Sequence, residues 1–447
     1  MSNLSRLMVA LSGTVFLTVL NGTMFNVALP AISRDFTLSP AEVSWVVVGY
    51  IAVFAIGAAT YGKLADIYPV RWLLPLGLGL FALGSILGFL STNYPLVIAA
   101  RLIQAAGGAA VPALGMIVAT RYFDPSRRGQ ALGLIASTVA FGGGIGPIAG
   151  GFITQYLGWH YLFLVSLLSL IALPFVLRYL PREERRQGTF DTPGAVFLAA
   201  GVSSVLLGIN LNPLFLIVSV VSFVLFIRRV KQAPEPFVRV DLLQNKAFRS
   251  LLGIGFLVFF SVLGSFFILP LMLADLNRLQ ANVIGLVLFP GAITAAFLGT
   301  AAGRMADRLG NEFVIRGALY LMILGFWALS TFAGAAPAVI ALLFVTVYVG
   351  MVSIQASLAN FVAKTLPPAE IGVGMGLFNL TTFMGGAFGP ALAARLLEFG
   401  GGAALNPLNP ALQHGYSNSF LLLGFLGVVN LVLLARIVRR REPVSEV

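Results

Sequence analysis

Residues 133–147, GLIASTVAFGGGIGP, return in outline as residues 376–390, GLFNLTTFMGGAFGP. Gly133-Leu134, Gly142-Gly143 and Gly146-Pro147 recur as Gly376-Leu377, Gly385-Gly386 and Gly389-Pro390, each 243 positions further on. A second, unrelated stretch repeats as well: Gly62-Lys63-Leu64-Ala65-Asp66 recurs as Gly303-Arg304-Met305-Ala306-Asp307, 241 positions later. Chance recurrence of glycine in a glycine-rich chain is the competing reading, but an aspartate and a proline recur with the glycines. Two motifs at nearly one spacing mark duplicated halves.

What is duplicated follows from composition. The 447 residues are 58% hydrophobic and only 10% charged, with a mean hydropathy of +0.95. A soluble domain carries roughly 25% charged residues to clothe its surface, so this chain faces lipid. Backbone groups in lipid must be satisfied internally, and a helix needs about 20 apolar residues to span the bilayer. Fourteen candidate spans meet that test: 7–30, 43–62, 72–91, 95–120, 130–156, 160–179, 193–210, 213–228, 249–274, 283–303, 314–334, 338–364, 372–397 and 418–437. The seventh and eighth are the weakest, two short spans around a tight turn at Asn210, Asn212 and Pro213. The first lacks a small-residue cleavage site and runs on through Asn21 and Asn26, so it reads as an anchored helix rather than a signal peptide. With no cysteine in the chain, disulfides, thiolate metal sites and thiol catalysis are excluded.

The basic residues set the orientation. With the N-terminus inside, 24 of the 28 Lys and Arg fall in cytoplasmic segments. These include Lys63 and Arg71; Arg121, Arg127 and Arg128; Arg182, Arg185 and Arg186; Arg228, Arg229 and Lys231; Arg304 and Arg308; and Arg439, Arg440 and Arg441. Arg34 and Arg278 lie in outer loops, and Arg101 and Arg395 lie within spans. Both termini are therefore expected in the cytoplasm and the protein in a plasma (inner) membrane. The net charge of +12 reads as loop-end anchors for anionic headgroups, not as a nucleic-acid surface. The repeat then divides the chain into an N-terminal six-helix bundle, 1–180, a linker with two extra membrane helices, 181–247, and a C-terminal six-helix bundle with a short tail, 248–447.

At these motifs the sequence resembles the major facilitator superfamily. More narrowly, it is similar to the fourteen-helix drug:proton antiporters that include the tetracycline exporters of Gram-positive bacteria. The resemblance covers nearly the whole chain. It rests on Leu20-Asn21-Gly22-Thr23-Met24-Phe25-Asn26-Val27-Ala28-Leu29-Pro30, the loop from Gly62 to Arg71, Arg101-Leu102-Ile103-Gln104, the fifth-span glycine–proline block and the run from Asn379 to Gly389. It implies an all-α polytopic fold: two pseudo-symmetric six-helix bundles, two extra central helices, and alternating access around a site between the halves.

Physical chemistry gives each motif a task. Gly62 closes the second span and lets neighbouring helices approach. Asp66, at the membrane boundary, can accept from a helix N-terminus or a basic side chain and latch the inner gate. Gly303, Asp307 and Arg308 repeat this arrangement, and Arg71 is the downstream cation of the first copy. The bland reading of both copies is a tight turn with useful topology charges. Gly142, Gly146 and Gly150 lie on one helix face at four-residue spacing, a surface for backbone contact, and Pro147 bends the span. The resemblance associates this block with export. Arg101 sits inside the fourth span, where a guanidinium is costly and marks a pathway or a partnered site. Gln104 extends its polar stripe by one turn. The resemblance ties such an arginine to proton transfer or substrate binding, and a purely structural role is the alternative. Asn21, Asn26, Gln355, Asn360, Asn379, Thr381 and Thr382 are the other polar candidates for the interior.

Other matches carry no chemistry. Gly57, Gly62 and Lys63 have the spacing of a phosphate loop, but Leu64 stands where the metal-binding hydroxyl belongs and the context is a span end. Asn21-Gly22-Thr23 is a glycosylation sequon inside a span. His160 and His414 lack any partner constellation, so no catalysis, metal or cofactor is expected.

One departure matters. Proton antiport calls for a protonatable group inside the path. The tetracycline exporters carry glutamates in the first, fifth and thirteenth spans; the matching residues here are Gly22, Gly143 and Gly386. The multidrug branch has an aspartate one position before the first of these, where this chain has Asn21. No Asp or Glu falls near mid-membrane; Glu42, Asp275 and Glu398 are the nearest, at outer span ends. The reading is a secondary transporter, not an enzyme, exporting small amphipathic compounds in proton-linked fashion and acting as a monomer. The alternative is an uncoupled facilitator, or an exporter of neutral or anionic compounds. A membrane sensor or scaffold would be expected to append a soluble domain, and only six residues follow Arg441.

Overall fold

The computed structural model describes residues 3–181, 183–367, 370–399, 403–409 and 414–439. Arg182, Arg440 and Arg441, three of the loop-end cations, lie outside them. The described residues form fourteen helical passages and no strand. These are α1 (Asn3–Phe36), α2 (Pro40–Leu64), α3 (Val70–Phe89), α4 (Tyr94–Arg121), α5 (Pro125–Tyr156), α6 (Tyr161–Tyr179) and α7 (Thr192–Asn210). After them come α8 (Phe215–Gln232), α9 (Lys246–Asp275), α10 (Ala281–Leu309), α11 (Asn311–Thr331), α12 (Pro337–Lys364), α13 (Ile371–Phe399) and α14 (His414–Arg439). Each expected span meets one of these helices. Twelve are long and apolar enough to cross a membrane among the described residues. Of the other two, α8 carries Arg228, Arg229 and Lys231 in its closing turns, and α10 is apolar over Ala281–Ala295.

Local sequence explains where the helices start. Ser39 and Glu42 form a reciprocal capping box with Pro40 in the first turn of α2. Asn93 caps α4 through Leu96 N, and Asn245 caps α9 through Ala247 N and Phe248 N. Gly310, at φ +91°, makes the turn between α10 and α11, a backbone conformation that glycine adopts without a Cβ penalty. The sixth passage is interrupted by a 3₁₀ stretch, Leu168–Ala172, just before Pro174.

The chain forms two compact units: residues Met1–Val238 with Gln280–Leu286, and Arg239–Leu279 with Val287–Val447. Within unit 1, α1 packs on α5 and α6, and α3 packs on α4 and α6. Within unit 2, α9 packs on α13 and α14, and α11 packs on α12 and α14. The pairings repeat with the sequence. So do features outside the two repeated motifs: Pro30 in α1 answers Pro270 in α9, and Thr37 and Arg278, both non-glycine residues at left-handed φ (52° and 56°), follow these helices at matching places.

The two inserted helices form a hairpin in unit 1. Gly201 and Gly208 of α7 admit Phe223 and Leu216 of α8, Ser219 Oγ donates to Gly201 O at 3.0 Å, and α7 rests on α2. The α8 side chains Ile217, Val220 and Val221 are exposed, as lipid-facing residues should be. Asp191 pins the start of α7 to the end of α8. Its carboxylate caps Gly194 N (3.2 Å), receives Phe237 N (3.2 Å) and pairs with Arg229 Nε (2.7 Å).

Candidate functional site

Arg101 enters unit 1 two turns into α4 and is fully buried. Its Nε donates to Val46 O of α2 at 3.1 Å. Nη1 donates to Asn21 Oδ1 of α1 at 2.9 Å and to Gln104 Oε1, one turn on, at 2.6 Å. The guanidinium carbon lies 4.0 Å from the ring centre of Phe25 and 3.8 Å from that of Tyr50, so the cation is clasped between two aromatic rings. Behind this layer, Gln104 Nε2 donates to Ser85 Oγ of α3 at 2.8 Å and to Ser166 Oγ of α6 at 3.4 Å. Asn21 Nδ2 reaches the same Ser166 Oγ at 2.6 Å. Five helices thus close on one charge. Every acceptor is neutral, and no carboxylate enters the network. Nη2 and the Tyr50 hydroxyl are buried without a hydrogen-bond partner, an arrangement that costs free energy in a low-dielectric interior.

The polar residues singled out in the sequence separate into groups. Arg101, Gln104 and Asn21 meet. Asn26 is buried on α1 outside the network, with Oδ1 unpartnered. Gln355 and Asn379 belong to unit 2 and are exposed. Asn360 donates to Asn311 Oδ1 at 3.3 Å, while Thr381 and Thr382 return their hydroxyls to their own helix. Sequence reasoning missed Phe25, Tyr50, Ser85 and Ser166. The only trace of the two serines was a hydroxyl in an otherwise apolar span.

The glycines also divide by role. A Cβ on Gly142 would come within 3.0 Å of Phe16 O, one on Gly150 within 2.5 Å of Met24 O, and one on Gly146 would collide with Thr23. All three therefore seat α5 against α1. In unit 2, Gly385 and Gly389 meet Phe256 O and Phe260 O in the same way, seating α13 against α9. By contrast, a Cβ on Gly22 would meet only Tyr50 Cε1, at 3.7 Å, and one on Gly143 would meet nothing within 4 Å. Packing does not require glycine at either of those positions.

At the α2–α3 loop, Asp66 is the exposed partner of a loose ion pair with Arg121, 3.8 Å long. Arg71 Nη1 donates to Leu180 O at 3.4 Å. A Cβ on Gly62 or Gly303 would have open space around it. Asp307 and Arg308 are exposed, with no ion-pair partner among the described residues. The first loop is engaged; its repeat is not. Among the described residues no group of His, Asp or Glu could hold a metal ion.

Residues 11–390 match the Major Facilitator Superfamily, and the chain belongs to that superfamily: it is a multi-pass membrane protein and a secondary transporter, not an enzyme. Among similar proteins, the riboflavin transporter RibZ of Clostridioides difficile is 25% identical over 397 residues, 86% of this chain and 87% of that one. The lincomycin resistance protein LmrB of Bacillus subtilis is 25% identical over 452 residues, covering 95% and 94% of the two chains. The fold is similar to that of a bacterial homologue of the human lysosomal transporter Spinster, with a TM-score of 0.69, 15% identity and coverage of 98% and 97%.

Proposed function

We propose that the protein exports small amphipathic compounds by alternating access, and that its cargo is neutral or anionic rather than cationic. The observation that carries this reading is the Arg101 centre: a buried guanidinium held by neutral acceptors and two rings, with Nη2 unpartnered. Opposite charge is attracted strongly to such a centre at low dielectric, and like charge is repelled. Export is supported by the glycine block of α5 and by the likeness to a resistance protein. Arg101, Gln104 and Asn21 would sense the cargo's charge, and Asn26, Gln355 and Asn379 would supply further polar contacts to the path. Gly62, Asp66 and Arg71, with Gly303, Asp307 and Arg308, would serve the gate. The one-sided distribution of basic residues supports cytoplasmic termini in a plasma membrane. Bundles 1–180 and 248–447 act as one functional monomer, and segment 181–247 takes no part in cargo binding.

Proton-linked transport is the first reading of the energetics. An uncoupled facilitator is the second, favoured by glycine at 22, 143 and 386. Proteoliposomes with an imposed pH gradient test both cargo and coupling, using neutral, anionic and cationic dyes. We expect the neutral and anionic dyes to move and the cationic dye to be left behind. Preferred transport of a lipophilic cation would refute the cargo assignment. Dye accumulation driven by the gradient would exclude the facilitator, and transport indifferent to the gradient would exclude proton coupling.

A further inference from the structure

The linker that follows α6 does not hang free; it runs back over the α2–α3 loop. Arg186 N donates to Ile67 O at 2.9 Å, and Gly188 sits against the Ile67 side chain, where a Cβ would approach Cγ1 to 3.1 Å. Ile67 is left only 6% exposed. At the centre of this contact is Glu183. Its Oε1 lies 3.3 Å from Arg121 Nη1 at the end of α4 and 3.7 Å from Arg186 Nη2. Its Oε2 accepts from Val70 N, the first amide of α3, at 3.4 Å. That helix has Pro69 at its N-cap and no side-chain cap of its own, so the linker carboxylate lies at its positive end. Burial, and then the Glu183 carboxylate beside it, push the Tyr122 hydroxyl above its ordinary range.

Arg121 is shared. Its Nη1 also donates to Ala65 O at 3.1 Å, and its Nη2 faces Asp66 Oδ1 at 3.8 Å. The two carboxylates differ in surroundings: Glu183 is 13% exposed and Asp66 69%. Water and salt screen the Asp66 pair heavily and the Glu183 pair far less. The loop's own aspartate thus makes the weaker pair with Arg121 of the two.

We propose that Glu183, supplied by the linker, is the residue that latches the α2–α3 loop, acting through Arg121, and that the linker lifts from Ile67 when this pair breaks. Glu183 is a positioning residue: it touches no cargo and sets the state of the loop. The latch joins the segment carrying the two inserted helices to the gate loop, a connection that neither repeat contains. In unit 2, Asp307 and Arg308 are exposed and have no ion-pair partner among the described residues.

The chain contains no cysteine, so one introduced cysteine reports without background. The full-length protein carrying Ile67→Cys, reconstituted in proteoliposomes, is treated with a water-soluble maleimide and the labelling rate is followed. A second protein, Ser44→Cys at a fully buried site in α2, reports unfolding. We expect Glu183→Gln to raise the Ile67→Cys rate about fivefold, Glu183→Asp to restore most of the protection, and Asp66→Asn to change it less than about twofold. With Glu183 present the rate rises with added salt, because an ion pair is being screened; in Glu183→Gln it does not. Equal or larger effects from Asp66→Asn would overturn the proposal, as would a labelling rate indifferent to Glu183→Gln. If Glu183→Gln also exposes Ser44→Cys, the salt dependence of the Glu183-containing protein decides alone, and its absence overturns the latch.

Discussion

Arg101 shows how far one side chain can be understood from its neighbours. A lysine would keep the charge but could not reach Val46 O, Asn21 and Gln104 as a fork while stacking between Phe25 and Tyr50. Arg101→Lys is expected to cut dye transport at least about tenfold while leaving the protein folded, since Asn21 and Gln104 keep their hydrogen bonds to Ser166 and Ser85. Tyr50 separates the ring from its hydroxyl. The hydroxyl is buried without a partner, so Tyr50→Phe should keep or raise thermal stability, whereas Tyr50→Leu removes a ring face and should cost about 1 kcal/mol. Thermal unfolding of the two purified variants checks this, and equal losses would refute the stacking role. Asn21, Arg101 and Gln104 were legible in the sequence because polar side chains within spans are rare and expensive. Ser166 and Tyr50 were not, since serine and tyrosine are ordinary residues in a membrane helix.

Helix ends and hairpins carry the next level. Asp191 is the N-cap of α7 and the ion-pair partner of Arg229 from α8. Burial would raise its pKa. Hydrogen bonds from Arg229, Phe237 N and Gly194 N outweigh that and hold the carboxylate below its ordinary value. A group whose folded pKa is depressed stabilises fully above its unfolded value of about 4, and that contribution is lost as pH falls through the folded value. Stability of the α7–α8 hairpin should therefore be flat at neutral pH and decline in acid below about pH 4. Asp191→Ala should cost about 1–2 kcal/mol at neutral pH. Asp191→Asn keeps a capping side chain and should flatten the acid decline, as followed by unfolding across a pH series. An acid limb identical in Asp191→Asn would assign the decline to other carboxylates. The α2–α3 loop belongs to this scale too. Asp66 was the readable anion because it repeats as Asp307, yet Glu183 occupies the better-shielded position, and no repeat pointed to it.

At the scale of the whole molecule the duplicated halves share their seams. Gly146 and Gly389, 243 positions apart, press α5 on α1 and α13 on α9 respectively. Gly146→Leu and Gly389→Leu should each destabilise by about 1–3 kcal/mol through overpacking, and Gly143→Ala should be neutral because its Cβ would meet open space. Unfolding temperatures of the three variants check this; a Gly389→Leu protein as stable as the parent would refute an equivalent seam in unit 2. The sequence by itself determined the fourteen helices, the duplication and the glycines at 22, 143 and 386. Hydropathy, loop charge and a repeat are written along one dimension and survive without any knowledge of contacts. Only the tertiary structure decided which groups meet: Asn21 finds Arg101 across 80 positions and Ser166 across 145, and Glu183 finds Val70 across 113. In a low-dielectric interior a polar group takes whichever partner the packing of five helices brings within 3 Å or so, and that choice leaves no periodic mark on the chain.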